Sequence, residues 1–276
     1  MSRIGIESIS VFGLPPVQFV NLAADLGCHY ISTGVIQGGS VLGYPSWSLR
    51  DDPVLRKEMK AVMHDRDVSI SLGEGFTIRP GVDVRERAPD LDLMCELGVK
   101  RINAVSMDHD LQRTCDQFAA MAEMAGKVGV EATVELCPGM AVADLSTALV
   151  VVKHVGRKNF KLLIDTMHFA RSGSSVAELA ALDADLIGYA QLCDAPVVST
   201  HVTYFEEAMT DRKSPGKGEL PLLNIVSALP SHLVLGLEVP QLALAQAGIQ
   251  PLARLGNVVA DAQALLKQVA TIAARR

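Results

Sequence analysis

Residues 130–165 read VEATVELCPGMAVADLSTALVVVKHVGRKNFKLLID. Two apolar, β-branched runs, VEATVEL from Val130 and FKLLID from Phe160, flank AVADLSTALVVVKHVG from Ala141, whose apolar residues recur at helical spacing. The middle segment closes on Gly156, the residue type that often follows the last turn of a helix. Strand, helix and strand in that order imply a parallel pair, because parallel neighbours need a crossover connection between them. Both strands finish in an acid, Glu135 and Asp165.

The same alternation extends in both directions. Further strands are expected at RIGIESIS from Arg3, HYIST from His29, VSISLG from Val68, KRINAVS from Lys100, LIGYAQLCD from Leu186 and HLVLGLE from His232. Helical spacing marks DLDLMCELG from Asp90, QFAAMAEMAGKVG from Gln117 and a closing Ala/Leu-rich segment from Pro251 to Arg276. Eight strand–helix units in 276 residues suit a (β/α)8 TIM barrel, read as one domain over residues 1–276. An open doubly wound sheet calls for a glycine-rich phosphate turn after its first strand, and SVFGLPP from Ser10 is no such turn.

Composition narrows the function. A net charge of −6 gives no basic footprint for nucleic acid or an anionic membrane. No apolar stretch of about 18 residues or more escapes a charge or a proline, so no membrane span is expected. The five cysteines form no C-x-x-C pair, which points to free thiols in a reducing compartment rather than to a disulfide frame. The N-terminus lacks the apolar core of a signal peptide, and a cytoplasmic location is expected.

In such a barrel the C-terminal strand ends form the active face. The fifth strand ends at Glu135 and the sixth at Asp165; the seventh offers Gln191 and the eighth ends at Glu238. Taken singly, each has an ordinary alternative: Asp165 as a helix N-cap, Glu135 as a partner for a lysine, Gln191 as a bond to stray backbone groups. Taken together, three carboxylates in one barrel mouth repel each other and lose hydration, a penalty that one divalent cation removes. The donors are all oxygens, which suits Mg²⁺ or Mn²⁺ best and still admits Zn²⁺.

VELCPG around Glu135, IDTMH from Ile164, QLCDAP from Gln191 and LEVP ending at Pro240 resemble the xylose-isomerase-like TIM barrels, a superfamily of sugar isomerases and epimerases that also contains inosose and 3-dehydroshikimate dehydratases. The resemblance is specific from about residue 130 to 240. It implies that Glu135, Asp165, Gln191 and Glu238 ligate the metal, that Glu135 and Glu238 also serve as an acid/base pair, and that His168 hydrogen-bonds the substrate near the reacting carbon. It also implies that Arg212, in DRKSPGKGELPL, holds substrate oxygens. Where many sugar epimerases carry histidine as the third ligand, this chain has Gln191, which resembles the dehydroshikimate dehydratase branch.

The expected function is proton abstraction next to a carbonyl of a small polyhydroxylated compound, through an enediolate, giving an isomer or epimer. The alternative is loss of a β-hydroxyl, as in a hydro-lyase acting on a keto acid or inosose. His168 is expected to assist proton transfer or orient a hydroxyl, since a free imidazole titrates near neutrality. RKSPGKGELPL is expected to cradle a substrate anion through backbone N–H groups and Arg212. Trp47 in LGYPSWSL and Glu74 in LGEGF are further candidate substrate contacts; Asp108 and His109 in SMDHD serve equally well as capping or surface residues. An endonuclease of the same barrel needs more histidines and a basic face than seven scattered histidines and a −6 charge supply. A catalytically silent binding protein fits less well with an intact Glu135/Glu238 pair. A homodimer is compatible with the hydrophobic content.

Overall fold

The computed structural model describes residues 3–38 and 42–274. Eight parallel strands close into a barrel in sequence order: β1 (Ile4–Ile6), β2 (Tyr30–Thr33), β3 (Ser69–Gly73), β4 (Arg101–Ala104), β5 (Glu131–Glu135), β6 (Phe160–Asp165), β7 (Ile187–Leu192) and β8 (Leu235–Leu237). β8 pairs back onto β1 through Ile4–Leu235 and Ile6–Leu237, so no edge is left open. Apart from β6, which spans Phe160–Asp165 as its run suggests, each strand is shorter than its apolar run. The first stops at Ile6 and turns into a 3₁₀ helix, Ser8–Val11, instead of running on to Ser10.

The helices are α1 (Pro16–Asp25), α2 (Pro53–Asp65), α3 (Ala88–Glu96), α4 (Leu111–Lys127), α5 (Leu145–Val155), α6 (Thr166–Arg171), α7 (Val176–Ala180), α8 (Tyr204–Thr210), α9 (Leu222–Ala228), α10 (Leu242–Gln246) and α11 (Pro251–Ala273). None of the described helices is long and apolar enough to cross a membrane. Aspartates start several of them: Asp52, Asp110 and Asp144 accept backbone N–H groups in the first turns of α2, α4 and α5. α5 ends on Gly156 in the left-handed conformation, as its position before β6 predicts.

The outer core lies between strands and helices, where Ile31, Ile70, Phe118, Leu162 and Leu255 are buried. Inside the barrel a smaller apolar layer, Leu72, Leu163 and Tyr189, closes the floor. Directly beside it, Gly236 on β8 leaves room for two side chains. A Cβ there would stand 1.6 Å from Glu7 Oε1 and 2.8 Å from the Tyr189 hydroxyl. A missing side chain on β8 is therefore what admits a carboxyl group to the barrel interior.

Gly236→Ala is expected to lower stability by about 1–3 kcal/mol through overpacking. Gly256→Ala on α11, where the nearest atom to a new Cβ is an ordinary 3.6 Å away, should be neutral or stabilise by about 0.5–1 kcal/mol. Urea denaturation of both variants checks the contrast.

Candidate metal centre and active site

The strand ends converge. Glu135 closes β5, Asp165 closes β6, Gln191 is the penultimate residue of β7, and Glu238 follows β8 directly. Asp165 sits in register with Gln191, and Gln191 with Gly236. Glu135, Asp165 and Gln191 are buried, and the Glu238 side chain is 13% exposed. The carboxylates are not left to repel one another. Arg212, itself 2% exposed, places Nη1 2.6 Å from Asp165 Oδ2 and 3.0 Å from Glu238 Oε2. The sequence treats these acids as unpaired; the structure pairs two of them through one guanidinium from the loop after α8.

Asp165 serves two purposes at once. Its Oδ1 accepts the His168 backbone N–H at 2.8 Å and caps α6, while Oδ2 takes Arg212. The N-cap and the ligand candidate are thus the same residue. Burial alone would raise its pKa, but Arg212 and the hydrogen bonds around it win and hold Asp165 at about 2. Its neighbours go the other way. Burial, then the charge of Asp165, pushes Glu135 up to about 8, and burial with the charges of Asp165 and Glu135 raises Glu238 well above the carboxylate range.

Glu135 Oε2 accepts from Asn103 Nδ2 at 2.6 Å, and Asn103 is held in turn by the Thr133 hydroxyl at 2.8 Å. Its Oε1 faces His168 Nε2 at 3.5 Å. On the far side of the ring, Nδ1 meets the Tyr204 hydroxyl at 2.5 Å. An ionised Glu135 calls for the proton on Nε2, which leaves Nδ1 as acceptor and Tyr204 as donor. Burial, helped by Arg212 and Arg171, lowers His168 to about 4 against the pull of Asp165. The imidazole is therefore neutral near pH 7, a hydrogen-bond donor more than the titrating group that its unperturbed pKa suggests.

The residues fit a cation. Glu135, Asp165 and His168 offer donor atoms that lie within 4.8 Å of one another. Gln191 Oε1 is buried and has no hydrogen-bond partner among the described residues, an expensive arrangement unless something electropositive meets it. What turns Oε1 that way is Glu7. Gln191 Nε2 approaches Glu7 Oε2 at 3.4 Å, and the Tyr189 hydroxyl donates to Glu7 Oε1 at 2.8 Å. Burial, then the charge of Glu74, pushes Glu7 up to about 8, so this fourth buried acid is neutral near pH 7.

The other expected contacts spread out. Glu74 is half-buried just beyond β3, accepts from the Ser8 hydroxyl at 2.8 Å, and its charge is felt at Glu7 and Glu135. Trp47 donates its indole N–H to the Gly13 carbonyl at 3.1 Å and ties the loop after β2 to the loop after β1. Asp108 pairs with Arg113, and Asp110 caps α4. The anion cradle read into RKSPGKGELPL is already filled. Buried Asp194 accepts the backbone N–H groups of Ala195, Gly216 and Leu220, while Lys213 and Lys217 pair with Asp211 and Asp261. Those amides position Arg212's loop and face an internal carboxylate instead of a substrate.

Sequence reasoning missed Glu7, Asn103, Tyr189 and Tyr204. Glu7 is a fourth strand-end acid, hidden because the apolar run of the first strand reads through to Ser10. Asn103 and Tyr189 were visible as polar groups inside buried strands. Tyr204, on α8, carries no such signal.

A family model described as xylose isomerase-like TIM barrel matches residues 20–255. No curated protein matches the chain. Among solved structures, an IolI protein with a bound zinc atom superposes with a TM-score of 0.74 at 17% identity, covering 97% of this chain and 98% of that one. A probable 3-DHS dehydratase, AsbF, involved in petrobactin synthesis in Bacillus anthracis, gives 0.72 at 14% identity, covering 96% and 99%. A D-psicose 3-epimerase gives 0.67 at 16% identity, covering 96% and 97%. The chain spans only 39% of a xylose isomerase-like TIM barrel/4-hydroxyphenylpyruvate dioxygenase fusion protein, which it matches over 87% of its own length at 20% identity and a TM-score of 0.71.

Replacing Arg212 removes the guanidinium that bridges Asp165 and Glu238. Arg212→Met is expected to cost about 3–5 kcal/mol in the metal-free protein, measured by chemical denaturation. Added Mn²⁺ should restore part of that loss.

Proposed function

Because the chain belongs to the xylose isomerase-like TIM barrel family, we propose that it is a divalent-metal-dependent isomerase or epimerase of a small polyhydroxylated carbonyl compound. The observation that carries this reading is the set of oxygen donors at four successive strand ends, with the Gln191 carboxamide oxygen buried and unpartnered among them. Glu135, Asp165, Gln191 and Glu238 would hold the metal, with Mg²⁺ or Mn²⁺ best suited to the donors and Zn²⁺ admissible. When bound, the cation supplies polarisation of a substrate carbonyl and stabilises the negative charge that develops on proton loss.

The chain's own groups do the rest. Glu135 and Glu238, separated by β6 and β7, are placed to take a proton on one side of a bound carbon and to return one from the other. His168 Nε2 points at the space beside Glu135 Oε1 and donates to a substrate hydroxyl or carbonyl there. Tyr204 fixes that ring, and Arg171 holds Tyr204 in place by bonding Glu207 on the same helix and lying 5.8 Å from the Tyr204 ring centroid. Arg212 balances charge: a dication and one guanidinium together match three carboxylates. Its remaining hydrogen-bonding capacity is for substrate oxygens beside Asp165.

Gln191 in place of histidine favours a second reading, a hydro-lyase of the dehydroshikimate or inosose dehydratase type. The first proton abstraction is shared, and the two readings part only at the next bond: return of the proton, or departure of a β-hydroxyl.

Turnover followed by NMR in D₂O, with Mg²⁺ or Mn²⁺ and a panel of ketoses, their phosphates, inosose and dehydroshikimate, separates them. Deuterium next to the carbonyl in an isomeric product supports the isomerase; a dehydrated product supports the lyase. Glu135→Gln and Glu238→Gln should each lower turnover by about 10²-fold or more while preserving the fold by circular dichroism. Near-native activity in either variant would sink the acid/base assignment.

A further inference from the structure

The donor set occupies the ends of β5 to β8, and the arc from β1 to β4 faces it across the mouth. In a closed ring of eight strands β3 stands opposite β7, the strand of Gln191. The residue that follows β3 is Glu74. Its backbone N–H donates to the Thr33 carbonyl at 2.9 Å and carries the β2–β3 ladder one residue past Gly73. Gly75 then turns the chain at φ +97°, a conformation that favours glycine, so LGEGF leaves one acid at the rim. The Glu74 side chain reaches over β2 to Ser8, which follows Glu7 at the end of β1, and its charge is also felt at Glu135 on β5. An inward aim accounts for both.

Glu74 is half-buried, yet its only side-chain partner is one hydroxyl. Oε2 accepts from Ser8 Oγ at 2.8 Å; Oε1 accepts no hydrogen bond, and no cation pairs with either oxygen, among the described residues. Ser8 is fixed in turn, its backbone N–H donating to Ser32 Oγ at 2.7 Å, and its hydroxyl oxygen keeps acceptor capacity. The other polar groups of this arc are occupied. Thr33 donates to the Gly34 carbonyl at 3.1 Å, and Glu7 meets Tyr189 and Gln191. No arginine of the arc waits for an anion either: Arg50 and Arg87 hold Asp90, Arg113 holds Asp108, and Arg79 and Arg85 are exposed. What remains is a pair of acceptors asking for donors.

Resting on the reaction assigned above, we propose that Glu74 and Ser8 form the subsite for the end of the substrate remote from its reacting carbonyl, and that this end carries free hydroxyl groups in place of a phosphate or carboxylate. A substrate hydroxyl donates to Glu74 Oε1 in a charge-assisted hydrogen bond. A phosphate or carboxylate there would meet a carboxylate with no cation to offset it, and like charges brought together cost affinity. Neutral ketoses and inosose satisfy this wall; ketose phosphates and dehydroshikimate do not. Glu74 thus selects by charge.

The test is calorimetry on the full chain with Mn²⁺, using D-sorbitol and D-glucamine, which is sorbitol with an ammonium group in place of one terminal hydroxyl. Neither probe has a carbonyl, so affinity is read without turnover, and bound Mn²⁺ repels the ammonium end toward Glu74. D-Glucamine is expected to bind about tenfold more tightly than D-sorbitol, and Glu74→Gln to erase most of that preference. Equal affinities in the unsubstituted chain, or no binding of either probe, overturn the proposal without appeal to a variant. A preference kept by a folded Glu74→Gln protein overturns it as well. The D₂O assay separates this subsite from the reaction beneath it. Deuterium entering ketose phosphates in preference to ketoses would overturn the subsite and keep the isomerase. A Glu74-dependent preference for glucamine, with no deuterium in any compound, would keep the subsite and remove the isomerase.

Discussion

Four carboxyl groups, Glu7, Glu135, Asp165 and Glu238, meet inside one barrel mouth where water does not reach them freely. Left ionised and unpaired, they would unfold the structure that gathers them, because each buried charge costs several kcal/mol. The mouth handles the problem in different ways at different acids. Asp165 is fully ionised and takes both Arg212 and a backbone amide. Glu7 is neutral and hydrogen-bonded by Tyr189. Glu135 and Glu238 are raised by burial as Glu7 is, each with one strong polar neighbour, Asn103 and Arg212 respectively. They are the groups whose charge state a bound cation would change most.

Arg212 does this work only because its loop is pinned. Its backbone amide donates to the Pro240 carbonyl at 2.9 Å, and its Nε donates to the Ala208 carbonyl at 2.7 Å. Lys213 and Asp194 exchange two backbone hydrogen bonds, and the Asp194 side chain then collects the amides of Gly216 and Leu220. Gly218 completes the turn, since a Cβ there would lie 2.4 Å from Asp194 Oδ1. The glycines and basic residues of RKSPGKGELPL thus serve an internal anion, so that the guanidinium arrives at Asp165 and Glu238 without conformational cost at the moment of binding.

The barrel was legible because its signal is repeated: alternating strand and helix patterns leave few topologies, and four strand-end donors in a row mark one face. Boundaries were less legible. β1 stops at Ile6 since Ser8–Val11 winds into a 3₁₀ helix, and nothing in the apolar run IGIESIS announces that turn. The cost was Glu7, whose side chain enters the barrel only because Gly236, on the far end of the chain, has no Cβ. Tyr204 and the pairing role of Arg212 were hidden for a similar reason. Both come from loops and short helices whose aim is set by tertiary contacts, with no period in the sequence to reveal it.

The carboxamide at the third strand end makes physical sense beside Glu7. With a dication bound as proposed, a neutral oxygen donor would keep three carboxylates matched by that ion and one guanidinium, where another acid would leave a buried negative charge. An amide, however, has two ends that its shape does not distinguish, and only one of them can face a cation. A neutral carboxyl at Glu7 accepts from Nε2 and turns Oε1 away from itself, where it is buried without a partner among the described residues. Ionisation of Glu7 would strengthen that hydrogen bond and at the same time add a charge that the mouth has no partner for. Its burial beneath Gly236, against Tyr189, holds it on the neutral side of that trade, and the orientation of Gln191 is what the arrangement preserves.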